Sequence, residues 1–106
     1  MRFVKEIIEE YKTLTKAGNV VLYPIIDDFG MSNEALMLLH RKKIELADKV
    51  LVLDINKYIG EGAYEELAYS ITLGKLVELK EYTLLDTNKL NVGFQMMHER
   101  SLKHGV

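Results

Sequence analysis

GEGAYEELAYSITLGK, residues 60–75, reads as a glycine-rich turn running into a helix. Ala63, Leu67, Ile71 and Gly74 are spaced four, four and three apart, which makes them one inward face. At about 100° per residue, Glu66 falls beside that face, flanked by Leu73 and Ser70. Glu65 is expected to point the other way, into water. A glutamate set against the core side of its own helix, one turn from the N-terminus, is a candidate for chemistry.

The elements on either side follow from periodicity. KVLVLDI (49–55) is a continuous apolar run suited to a buried strand, and KLVELK after the helix predicts another. Upstream, 33–46 is expected to be a helix capped by Ser32 or Asn33, with Leu36, Leu39, His40, Lys43, Ile44 and Ala47 on a broad stripe. NVVLYPII (19–26) is β-branched and predicts a third strand, with Pro24 near its end or on an unpaired side. Residues 2–16 carry Phe3, Ile7, Ile8, Tyr11 and Leu14 on one helical stripe, and Gly18 is a natural stop. Residues 87–103 read as a final helix with Leu90, Phe94, Met97 and Ser101 in register, although Gly93 weakens it. The order α-β-α-β-α-β-α argues for a three-layer α/β domain with a mostly parallel sheet, flavodoxin-like in character. Residues 1–82 would form the domain and 83–106 its C-terminal helical extension. Ligands of such sheets bind beyond the carboxyl ends of the strands, the rim where Asp54, the Tyr58–Gly62 loop and Glu66 would lie.

Bulk properties narrow the function classes. The 106 residues fit one domain with a modest core. A net charge of −2 gives no broad attraction to nucleic acid or anionic lipid. The chain has no cysteine, which removes disulfides and thiolate metal sites, and nothing at its start reads as a signal peptide or membrane span. A cytoplasmic globular protein is the resulting expectation. His98 and His104 lack acidic partners at ligand spacing, so neither a metal nor another cofactor is expected. His40 reads as a packing residue, Arg41-Lys42-Lys43 as a solvated face, and Phe94, Met96 and Met97 as packing or a subunit contact.

From Leu39 to Val77, the stretch LHRKKIELADKVLVLDINKYIGEGAYEELAYSITLGKLV resembles the nucleoside 2-deoxyribosyltransferase-like superfamily, closest to small bacterial and phage members. Those proteins carry a helix ending like HRRKIDLAD, an apolar strand, a loop like GGYIGES, and a helix with a glutamate nine residues before the lysine of a G-K pair. Here that spacing runs from Glu66 to Lys75. The resemblance implies that Glu66 is the nucleophile that attacks the anomeric carbon of a deoxyribosyl group as the base leaves. A carboxylate suits the task, since it stabilises developing positive charge on the sugar and can hold it covalently. Gly60 and Gly62 would let backbone N–H groups approach a sugar hydroxyl or phosphate. Tyr58 would line the pocket or pack on its own helix. Asp54 would orient a sugar hydroxyl, act in proton transfer, or merely cap the following turn. Met1-Arg2-Phe3 matches the phrase that follows the first strand and its loop in these proteins, so the family's first strand is expected to be missing. The implied function is hydrolysis or transfer at an N-glycosidic bond of a nucleoside or nucleotide. The alternative is a non-catalytic binding or assembly protein that keeps the fold. Either way a homo-oligomer is expected, most simply a dimer joined through 84–102, because so small a sheet leaves apolar surface uncovered.

Overall fold

The structure is a computed structural model that describes residues 3–22 and 29–105. The chain divides into two compact units, residues 1–43 and 44–106.

In the first unit, α1 (Val4–Lys16) presents Glu6 in its first turn and Lys16 in its last, both favourable to the helix dipole. It stops at Gly18, whose φ of 94° is a conformation that L side chains resist. The amide and the side chain of Asn19 both donate to the Leu14 carbonyl and satisfy it past the helix end. α2 (Asn33–Leu46) starts as its sequence predicts, with Ser32 Oγ accepting the Ala35 amide at 3.1 Å. Its last turn belongs to the second unit. The solvated face expected at 41–43 needs correction at Arg41, which is buried. It stands three residues before buried Ile44 and so shares a helix face with it, while Lys42 is exposed.

The second unit is a strand-helix-strand-helix run. β1 (Lys49–Val52) and β2 (Leu76–Leu79) pair in parallel, with Lys49 opposite Leu76 and Val52 opposite Leu79. A single 3-10 turn (Ile55–Lys57) and then α3 (Glu61–Thr72) connect them. Gly74 ends α3 in the left-handed region (φ 71°), and the Gly74 and Lys75 amides return to the Ile71 and Ser70 carbonyls. Gly74 is therefore the helix stop, exposed to solvent, and not part of an inward face. α4 (Thr87–His104) is capped by Asp86, whose carboxylate accepts the Asn88 and Lys89 amides.

The core of this unit is Ile59, Tyr64 and Leu67, with Val52, Ala63, Val77, Leu79, Leu85 and Leu90 packed around it. Burying Leu67 alone contributes about 1.5–3 kcal/mol. α4 packs along α3 at very close range. A Cβ on Gly93 would lie 2.6 Å from the Tyr64 carbonyl oxygen, so glycine is required at the crossing. The residue that weakened the helix in the sequence is what lets the two helices meet.

The three-layer, mostly parallel α/β fold expected from the sequence is not what forms. Among the described residues there are four α-helices and one sheet of two strands, and the molecule is mostly helical. Of the strand expected at 19–26, residues 19–22 are not in a strand, and 23–26 lie outside the described residues. A β-branched run raises strand propensity, but a strand exists only where a neighbour takes its backbone groups. Val20 is 94% exposed, which no buried strand residue is.

Candidate functional site

The connection from β1 to α3 holds three of the five residues singled out in the sequence, Asp54, Tyr58 and Gly60; Gly62 and Glu66 lie in α3 itself. Asp54 lies two residues past β1 and is fully buried. Its Oδ1 accepts the Glu81 amide at 2.6 Å, and its Oδ2 accepts the Thr83 amide at 2.9 Å and the Thr83 hydroxyl at 2.5 Å. Burial pushes the Asp54 carboxyl up. The Thr83 hydroxyl and the Glu81 and Thr83 amides favour the charged form, outweigh burial, and hold the group below its ordinary value. The Asp54 side chain makes no cap bond to the turn that follows it and closes instead on the turn after β2.

The turn that follows is unusual in its backbone. Asn56 and Lys57 stand consecutively at φ 56° and 60°. The Asn56 amide donates to Glu81 Oε2 at 3.0 Å, and Lys57 Nζ donates to the Glu81 carbonyl. Tyr58 is 42% exposed, and its ring lies over Gly60, where an added Cβ would sit 3.4 Å from the tyrosine hydroxyl. The ring thus packs on its own turn. Gly60 is the N-cap of α3. Gly62 is exposed, with open space around its Cα, so no close backbone contact requires glycine there.

The two glutamates of α3 are placed differently from the expectation. Glu65, expected in water, is 1% exposed. Its carboxylate receives Arg100 Nε at 2.7 Å on Oε2 and Arg100 Nη2 at 3.0 Å on Oε1. Two parallel charge-assisted bonds of this kind are the geometry that a guanidinium favours. Glu66 is half-buried in the second turn of the helix. The face count failed because α3 is covered on two sides, by the sheet and by α4, so Tyr64, Glu65, Leu67, Ala68 and Ser70 are all buried. Ile71, placed inward by the sequence, is 44% exposed. Lys75, the lysine of the G-K pair, donates to the Glu45 carbonyl at 3.1 Å in the last turn of α2, while Tyr69 donates its hydroxyl to the Glu45 carboxylate at 2.8 Å.

Sequence reasoning missed Arg100, Thr83 and Glu81. Their partners lie 35, 29 and 27 residues away respectively, so no local spacing marks them. An open groove between the starts of α3 and α4 is lined by Glu61, Asn88, Lys89, Val92, Gly93 and Met96; Asp54 and Glu66 do not line it. No helix among the described residues is long and apolar enough to cross a membrane. No family model, curated protein or solved structure matches this chain.

Proposed function

We propose that the protein is deoxyribosyltransferase-like, that it acts in the cytoplasm on the N-glycosidic bond of a nucleoside or nucleotide, and that Glu66 is its nucleophile. One observation carries the choice of residue. Of the carboxylates on α3, Glu65 is sealed against Arg100 and Glu61 is exposed at the first position, leaving Glu66 as the half-buried one. A nucleophile of this chemistry needs that intermediate setting, shielded enough to be reactive and open enough to reach a sugar. In the reaction, a Glu66 oxygen bonds to C1′ as the C–N bond breaks. The bonding pair leaves with the base, which takes a proton from water. Water or a second base then displaces the sugar from Glu66 and restores the carboxylate. The resemblance over residues 39–77 supports the same assignment. Release of free base from 2′-deoxynucleosides and their monophosphates, compared between the parent and Glu66→Ala, tests it.

A non-catalytic binding or assembly role is the second reading, favoured by the closure of Asp54. A carboxylate whose two oxygens accept three protein hydrogen bonds has little left for a sugar hydroxyl. Under that reading a nucleoside binds without turnover. Both readings include a homodimer, supported by the exposure of Leu84 (94%) and Leu102 (74%) within and beside α4.

A further inference from the structure

We propose that Glu81 is a positioning residue for the start of α3, acting through a two-way clasp that it forms with Asp54. The Asp54 carboxylate closes on the backbone after β2, at Glu81 and Thr83, while the Glu81 carboxylate closes on the backbone after β1, at Asn56. Each turn thus supplies an acidic side chain that binds the amides of the other. The ammonium of Lys57 on the Glu81 carbonyl adds a third tie.

The clasp surrounds the most strained backbone of this unit. Asn56 and Lys57 on one turn and Tyr82 on the other all stand at positive φ, at 56°, 60° and 54°. Asparagine tolerates the left-handed region, but lysine and tyrosine hold it only where surrounding bonds leave no alternative. Those bonds are the clasp itself. The amides of Glu81 and Thr83 flank Tyr82, and the bonded Asn56 amide directly precedes Lys57. Beyond Lys57 the chain runs at once into Tyr58, which packs on Gly60, and Gly60 caps α3. The clasp therefore sets where α3 begins. The strained turns lie just beyond the carboxyl ends of the two paired strands. The functional consequence, correct presentation of Glu66, rests on the reading of that residue as nucleophile.

Amide hydrogen exchange on the full chain tests the clasp independently of activity. In Glu81→Ala, exchange at Asn56, Lys57 and Tyr58 should rise about tenfold while that of Leu67 in α3 stays unchanged. Glu81→Gln keeps an acceptor oxygen at the same reach and should stay within about threefold of the parent. Unchanged exchange at 56–58 in Glu81→Ala would overturn the proposal, as would equal acceleration at Leu67, the mark of global loosening. In base release, Glu81→Ala should lower kcat about tenfold with KM within about twofold, and Glu81→Gln should restore kcat. A raised KM with unchanged kcat would show that Glu81 does not position Glu66. A parent that releases no base overturns the nucleophile reading, and the exchange result then decides the clasp by itself.

Discussion

Arg100 of α4 grips Glu65 of α3 through two parallel hydrogen bonds, 2.7 and 3.0 Å long, with the glutamate side chain 2% and the arginine side chain 11% exposed. The pair locks the rotation of one helix against the other, a few residues from the Gly93 crossing. Its desolvation cost is high, so its worth lies in orientation more than in net stability.

Breaking that pair from one side should be costly. Arg100→Leu removes both charge-assisted bonds from a buried carboxylate and should destabilise the fold by about 3–5 kcal/mol. Replacing both partners, as Glu65→Leu with Arg100→Leu, should cost markedly less than either single change. Urea denaturation of the three variants measures this, and a double mutant as unstable as the sum of the singles would contradict it.

Gly93 should tolerate no side chain. Alanine gains about 1 kcal/mol of helix propensity over glycine. That gain is outweighed because its Cβ meets the Tyr64 carbonyl oxygen at 2.6 Å, backbone that cannot simply rotate away. Gly93→Ala should therefore lose about 1–3 kcal/mol, read as a lower thermal midpoint. An unchanged or higher midpoint would show that the helices are not held this close.

Asp54 should make the fold acid-sensitive. Its folded pKa is depressed, so the unfolded chain takes up the proton first as pH falls. The stabilisation is complete above the ordinary value of 3.8 and is lost as pH drops from there toward the lower folded value. Asp54→Asn should be less stable near neutrality by about 2–4 kcal/mol, with a flatter acid limb than the parent. Urea midpoints measured across the acid range check this; parallel limbs in the two proteins would refute it.

The second unit was largely legible in the sequence, and for physical reasons. The runs around Val50 and Val77 are short and apolar, and both form strands; Gly74, read as part of an inward face, is instead the stop of α3. Ser32 was legible as the cap of α2 because a cap is a local signal. What failed was non-local. Whether Val20 sits in a strand depends on a pairing partner, which propensity does not report. Whether Glu65 faces water depends on what covers its side of α3, and Arg100 lies far along the chain. Asp54 was found by its position at a strand end, but its partners on the next turn were not. The face count gave Glu66 an interior position that it holds only in part.

A dimer should form in solution. Light scattering should give about twice the 12.2 kDa chain mass, and Leu84→Lys combined with Leu102→Lys should shift it toward monomer. A concentration-independent mass of 12.2 kDa would exclude it.

The most direct test of the central claim is release of free base from a panel of 2′-deoxynucleosides and their monophosphates by the parent, Glu66→Ala and a surface control, Glu99→Ala. The parent should turn over, Glu66→Ala should lose at least about a hundredfold with the fold intact by circular dichroism, and Glu99→Ala should keep parental rates. No release by the parent, or equal rates in the parent and Glu66→Ala, would contradict it.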